Sequence, residues 1–292
     1  MDDRTALAER FETDRSHLKA VAYRMLGSAA EADDALQESW LRASQADLSE
    51  VRNLTGWLTT VVGRVCLNML RSRRTRREDP IDAYDRTSGP GEGDDPEQEA
   101  VLADSVGLAL LVVLDTLAPA ERLAFVLHDM FAVPFDEIGT LLDRSADSAR
   151  QLASRARRRV KGGGAAPVAD LARRRRVVEA FLAASRGGDF DALVALLHPD
   201  VVLRADRSVV PTPEPVVVRG AHTVAQGAMA ATGRALFTGI ALVDGSVALA
   251  MAPLGRLRLV LGFTLVDDLI TEIDVVADPD RIRGLDIAVL ED

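Results

Sequence analysis

The sequence predicts a multidomain chain, two all-α modules followed by an α+β domain. Three observations lead there. From Phe11 to Lys161 apolar residues recur at the helical period, whereas after Val201 they fall in short strand-like runs. Two stretches without periodicity, one acidic and one glycine-rich, interrupt the chain at 79–103 and 163–172. The 292 residues exceed one small core and suit two or three modules. The expected modules are therefore 1–78, 104–162 and 173–292, with the two interruptions as linkers.

Composition narrows the class. A hydrophobic share of 48% with 27% charged residues is that of an ordinary soluble globular chain. No apolar run approaches a membrane span, and Met1-Asp-Asp-Arg lacks the basic start and apolar core of a signal peptide, so a cytoplasmic protein without membrane contact is expected. The lone cysteine, Cys66, excludes an internal disulfide. The four histidines have no partner at ligand spacing, so neither a metal site nor a cofactor is expected.

The net charge of -10 argues against a nucleic-acid binder only as a sum. Counted along the sequence, residues 1–103 carry 14 basic and 20 acidic residues, 104–162 carry 8 and 8, and 163–292 carry 13 and 17, which total 35 and 45. The positive charge sits in two blocks, Arg64 with Arg71, Arg73, Arg74, Arg76 and Arg77, and Arg150 with Arg155, Arg157, Arg158, Arg159 and Lys161. Between them, from Glu78 to Asp104, ten acids face one arginine, Arg86. Such a chain can grip a polyanion at two separated points through a connector that avoids it.

Taken in order, Leu18, Val21, Ala22 and Met25 predict a first helix over Phe11 to Gly27, stopped by Gly27-Ser28. A second starts near Ala29, with Ala32, Leu36, Trp40 and Ala43 on one face and Asp34, Gln37 and Glu38 on the other. That polar face is either solvated or docked on a basic partner helix. Gln45 to Asn53 is a loop, and a long helix follows to Arg77. Its Leu58, Val62, Val65, Cys66 and Met69 share one side, opposite Trp57, Thr60, Arg64, Asn68 and Arg71. Phosphates can answer the arginines and an unstacked base the indole. For a single helix, a solvated basic face with Trp57 turned inward is the commoner outcome.

Helices resume near Pro96, with Val106, Leu110, Val113, Leu114 and Leu117 in one and Leu123, Val126, Leu127 and Met130 in the next. From Pro134 to Lys161 the pattern is helix, short turn, helix: Phe135, Ile138 and Leu142 bury the first, Asp143-Arg144 turns, and Ser145 caps the second. In the second, Ala149, Leu152, Ala153, Ala156 and Val160 point inward, and Gln151, Ser154 and Arg158 point outward between Arg150 and Arg155. Small apolar residues inside with Gln, Ser and Arg outside suit a helix that enters a major groove. An arginine-rich solvated helix is the alternative.

Beyond Gly162-Gly-Gly-Ala-Ala-Pro167 two helices, Val177 to Arg186 and Phe190 to Leu197, are separated by Gly187-Gly188. Strands are expected at 201–205, 216–219, 235–243, 247–251, 257–266 and 270–276, with hairpin turns at Asp244-Gly245 and Asp267-Asp268. Two helices and a helix-interrupted antiparallel sheet make a separate α+β domain.

These motifs together resemble the extracytoplasmic-function sigma factors, the promoter-recognition subunits of bacterial RNA polymerase. The resemblance covers Phe11 to about Lys161. It implies helical region 2 at 1–78 and helix-turn-helix region 4 at 104–162. It further implies that Asp34, Gln37 and Glu38 of the Asp-x-x-Gln-Glu signature dock on a coiled coil of the polymerase β′ subunit, with the β flap as a second core contact. On the same grounds Asn53, Trp57, Thr60, Arg64, Asn68, Arg71, Arg73 and Arg74 bind the −10 element, and Ser148, Arg150, Gln151, Ser154, Arg155 and Arg158 the −35 element. The last domain is similar to the SnoaL-like (NTF2-like) cone fold of polyketide cyclases and ketosteroid isomerases. Ala277-Asp278-Pro279-Asp280-Arg281-Ile282 resembles its Asn-Pro-Asp-Lys-Leu motif, so Asp278, Pro279 and Asp280 are the expected regulatory contact, made intramolecularly with region 2. The Trp-Leu-Pro-Glu-Pro motif of the related subgroup is absent after Arg77, and its Asp-Gly-Gly-Gly loop is replaced around Asp206-Arg207-Ser208.

Three functions fit to different extents. A non-enzymatic initiation factor that binds core polymerase and promoter DNA uses every motif. A helix-turn-helix regulator leaves Asp34 to Glu38 and the Trp57 helix unused. An enzyme or ligand-binding protein would rest on the last domain, where His198, Asp206, His222 and Asp274 are candidate acid/base groups without a nucleophile triad or phosphate loop. His198 precedes Pro199-Asp200 in a turn, which favours a structural role. No anti-sigma partner is legible.

Overall fold

A computed structural model describes residues 3–49, 51–78, 107–161, 168–209 and 214–290. The chain forms two compact units, one of residues 1–102 with 116–157, the other of residues 103–115 with 158–292. These units cut across the expected span 104–162. The connector 79–103, Val106 and the glycine run at 162–167 lie outside the described residues.

The first unit opens with α1 (Asp3–Thr13), α2 (Arg15–Leu26), α3 (Ala29–Ala43) and α4 (Leu54–Glu78). The single first helix expected from Phe11 is two, starting earlier and divided at Asp14. There the Asp14 carboxylate takes the Thr55 hydroxyl at 2.6 Å and ties the corner to α4. Gly27, at φ 78°, closes α2 in the left-handed conformation, and the Ser28 hydroxyl accepts from the Glu31 amide to start α3. The expected inward residues are buried except Met69 and Trp40, which are half-buried, with Leu18, Val21, Leu36, Leu58, Val62 and Cys66 at the centre. Trp40 is half-buried against Phe11, ring centroids 5.2 Å apart.

The rest of the unit is α6 (Pro119–Phe125), a π-helical turn (Val126–Met130), α7 (Phe135–Leu141) and α8 (Ala146–Lys161) as far as Arg157; α5 (Leu108–Thr116) precedes them. Leu123 and Leu127 lie against α4 where Gly63 leaves room: a Cβ there would sit 3.1 Å from Leu127 Cδ1. Arg122, only 3% exposed, donates to the Met25 carbonyl at 2.8 Å, which offsets part of the cost of burying it. The turn before α8 is as expected, with Asp143 at φ 56° and the Arg144 amide bonded to the Gly139 carbonyl at 2.8 Å. A Cβ on Gly139 would meet the Arg144 carbonyl oxygen at 2.8 Å.

The second unit is α+β. It holds α5, α9 (Val168–Gly187), α10 (Phe190–Leu196), β1 (Leu197–Ala205), β2 (Val216–Arg219), α11 (Ala221–Ala230), α12 (Thr232–Ala235), β3 (Thr238–Val243), β4 (Ser246–Met251), β5 (Leu259–Val266), β6 (Leu269–Val276), α13 (Pro279–Gly284) and β7 (Ile287–Ala288). The strands lie in the order β2-β1-β6-β5-β4-β3-β7. The sheet is not wholly antiparallel, because β1 and β6 pair in parallel. Both hairpins turn through positive φ, at Asp244-Gly245 and Asp267-Asp268, which is the primed geometry that matches strand twist. Residues 168–172, expected as linker, belong to α9, and 235–237 precede β3 in place of starting it.

Candidate nucleic-acid interface

Along α3 the two faces separate as the spacing requires. Ala32, Leu36 and Ala43 are buried, whereas Asp34, Gln37 and Glu38 are exposed. Glu38 is held by Arg42 one turn on, at 2.8 Å. An acidic ridge on a rigid helix presents hydrogen-bond acceptors to a basic partner without disturbing the core beneath it.

On α4 the exposed strip is Arg64, Asn68 and Arg71, with Trp57 and Thr60 half-buried at its N-terminal end. Leu67 and Leu70 are also buried, so the helix is packed over a wider arc than its periodicity suggested. Asn53 is exposed and caps the helix, its side-chain oxygen accepting from the Gly56 amide at 3.1 Å. Arg73 turns toward α3 and pairs with Glu31, its side chain only 15% exposed. The Arg74 side chain lies outside the described residues. The strip thus brings together two arginines, an asparagine and an indole, a set that suits phosphates and unstacked bases.

On α8, Arg150, Gln151, Ser154, Arg155 and Arg158 are exposed and Ser148 is half-buried. The helix is started by Ser145, whose hydroxyl accepts from the Ser148 amide at 3.2 Å. Arg150 pairs with Asp147 and its guanidinium stands 5.4 Å from the Phe135 ring centroid. Arg155 reaches Glu121 at 2.9 Å and Arg157 reaches Asp129 at 2.5 Å. These neighbours fix the directions of long side chains that would otherwise lose rotamer freedom on meeting DNA.

The candidate acid/base groups of the second unit each have their own surroundings. His198, expected in a turn, lies at the start of β1, where its Nδ1 accepts from the Asp200 amide at 3.1 Å, and His222 stands edge-on to Phe190. Asp274 is exposed on β6. Asp206 accepts from the backbone amides of Ala277 and Asp278, each at 2.8 Å, and from Ser208 at 3.0 Å. Partial burial alone would raise its pKa; the three amides and Arg281 outweigh this and hold it below the ordinary carboxylate value. The Asp206 loop is thereby fastened to the Asp278-Pro279-Asp280 segment, a link that sequence spacing does not reveal. Asp278 in turn caps α13 by accepting from the Asp280 and Arg281 amides. Among the described residues no group of three or more His, Cys, Asp or Glu could hold a metal ion, and no helix is long and apolar enough to cross a membrane.

Comparison with known proteins bears on both helical regions. Residues 11–76 match the family Sigma-70 region 2, and residues 107–160 match Sigma-70, region 4. The chain is 38% identical to the ECF RNA polymerase sigma factor SigJ of Mycobacterium tuberculosis, over 94% of this chain and 92% of that relative. It is 36% identical to the probable ECF RNA polymerase sigma factor SigI of the same species, over 77% and 76%. The crystal structure of M. tuberculosis SigJ aligns over 95% of this chain and 98% of that one, at 34% identity and a TM-score of 0.46.

Proposed function

The chain belongs to the ECF RNA polymerase sigma factors, and from that membership we propose how its surfaces divide the work of promoter-specific initiation. Members of this family bind core RNA polymerase and promoter DNA, and this chain does so as a non-enzymatic factor acting in the cytoplasm. Asp34, Gln37 and Glu38 dock on the β′ coiled coil, and region 4 meets the β flap. Arg64, Asn68, Arg71, Trp57, Thr60 and Asn53 engage the −10 element, with Arg73 and Arg74 beside them. Ser148, Arg150, Gln151, Ser154, Arg155 and Arg158 engage the −35 element. The C-terminal domain modulates activity through Asp278, Pro279 and Asp280, which contact region 2.

The observation that carries this division is the clean separation on α3 of a buried stripe from an exposed Asp34, Gln37 and Glu38 ridge. Replacing all three by alanine removes polymerase binding and leaves the fold, because none supports the core. The test is co-purification with core enzyme, followed by run-off transcription on the gene's own upstream DNA. A triple variant that co-purifies normally overturns the docking assignment, and a wild-type protein that directs no run-off overturns the division as a whole.

A further inference from the structure

The strands β3, β4 and β5 alternate large and small residues. Leu242, Val247, Leu249, Leu259 and Phe263 enter the core of the C-terminal domain. On the other face Ala241, Val243, Ala248, Ala250 and Val260 form a second cluster, and it is not bare. Val112 and Val113 of α5, both fully buried, belong to that cluster, and Leu108 and Ala109 pack against it. At Gly239 the approach is close: a Cβ there would lie 3.0 Å from Leu108 Cβ. The last turn of α8 arrives at the same face, where Val160 packs on the cluster and its carbonyl accepts from the Val289 amide at 2.9 Å. Alanine and glycine at alternate positions make this seat, since a branched residue at 239, 241, 248 or 250 would hold a helix off.

Both visiting segments lie within residues 107–160, the span that matches region 4. We propose that the C-terminal sheet is a permanent wall of the −35 reader, seating its first helix and the end of its recognition helix, and that this seat stays occupied while the factor is on promoter DNA. The proposal rests on the region 4 reading above and extends it. Whatever disturbs the seat then alters −35 recognition without touching Asp34, Gln37 and Glu38.

The test is a lock on the seat in the full-length chain, Leu108→Cys with Gly239→Cys. A shift of less than about 1 Å takes their Cβ atoms to disulfide spacing. The native Cys66 stays silent, because burial pushes its thiol far up from the ordinary value. Expected are ready oxidation to the intramolecular disulfide and run-off transcription by the oxidised protein at the level of the reduced one. Failure to cross-link, or transcription lost on oxidation and regained on reduction, overturns the permanent wall. A second variant, Gly239→Val, pushes on α5 and leaves the strand a good β former. It should lower amide protection over 108–116 about tenfold with Ser246–Met251 still protected. Binding to a −35 duplex should weaken about tenfold and core co-purification should persist. Unchanged protection or unchanged DNA binding overturns the proposal. If the wild-type protein directs no run-off, the initiation reading fails, while cross-linking and exchange still report on the seat.

Discussion

At Gly139 a Cβ would lie 2.8 Å from the Arg144 carbonyl oxygen and 3.0 Å from the Ala146 nitrogen. Both are backbone atoms and cannot swing aside, so Gly139→Ala has to open the corner between α7 and α8. The expected cost is about 1–3 kcal/mol of stability, read by denaturant unfolding, together with weaker −35 binding; an unchanged midpoint would refute the tight corner. Asp206 makes a prediction in pH. Its pKa is depressed in the folded protein, so its contribution is fully present above the ordinary carboxylate value of about 3.9 and is lost as pH falls through the lower native value. Amide exchange at Ala277 and Asp278 should therefore be protected at neutral pH and quicken in acid more than its intrinsic pH dependence requires. Asp206→Asn should abolish that excess, and an identical profile in the variant would sink the assignment. Gly139 was legible only as a residue inside an apolar helix pattern, because its necessity comes from atoms five and seven residues on. Asp206 was legible as a candidate acid/base group, but its actual partners lie 71 and 72 positions away.

The long helix α4 shows what periodicity can and cannot deliver. Leu58, Val62, Val65 and Cys66 were expected inside and are buried, and Arg64, Asn68 and Arg71 were expected outside and are exposed. Leu67 and Leu70 were not expected inside; a helix covered over more than one face has no single apolar stripe for the period to find. Arg73 was grouped with the DNA-facing arginines by its charge and by the family resemblance, whereas Glu31 on α3 draws it inward. The two arginines should separate by experiment. Arg64→Ala should reduce the salt dependence of promoter binding by about one unit of slope and leave unfolding unchanged. Arg73→Ala should instead loosen α3 against α4, lowering the unfolding midpoint with a smaller change in salt slope. Equal behaviour of the two variants would mean that the ion pair does not withdraw Arg73 from DNA. On α8, Arg150→Ala or Gln151→Ala should cost about 1–3 kcal/mol at particular −35 bases, and Arg158→Ala should weaken binding evenly across sequences. An unaltered base preference in the first two would misplace the recognition helix.

At the scale of the whole chain, the change from helical to strand periodicity near Val201 marked the α+β domain, and the paired turns at Asp244-Gly245 and Asp267-Asp268 marked its hairpins. The parallel pairing of β1 with β6 was not legible, since strand order is set by contacts far apart in sequence. Nor was the packing of α5 on β3 and β4. Its run Leu-Ala-Leu-Leu-Val-Val-Leu is apolar all round, which announces burial without naming the partner. Truncation after Pro167 strips that partner away. Burial of a valine contributes about 1.5–3 kcal/mol, so baring Val112 and Val113 should leave α5 poorly held. The truncated chain should still co-purify with core polymerase and lose −35 affinity about tenfold; full retention of that affinity would show that the sheet is dispensable. The alternating alanines of Ser246–Met251 also bear on exchanging parts between such proteins. A chimera cut at the glycine run after Lys161 would separate α5 and the end of α8 from the sheet that seats them and leave the donor with an apolar sheet facing water. A graft beginning ahead of Leu108 and running to the C-terminus would carry both halves of the joint, so the unit that can be inherited or transplanted whole is larger than the family boundary at residue 160.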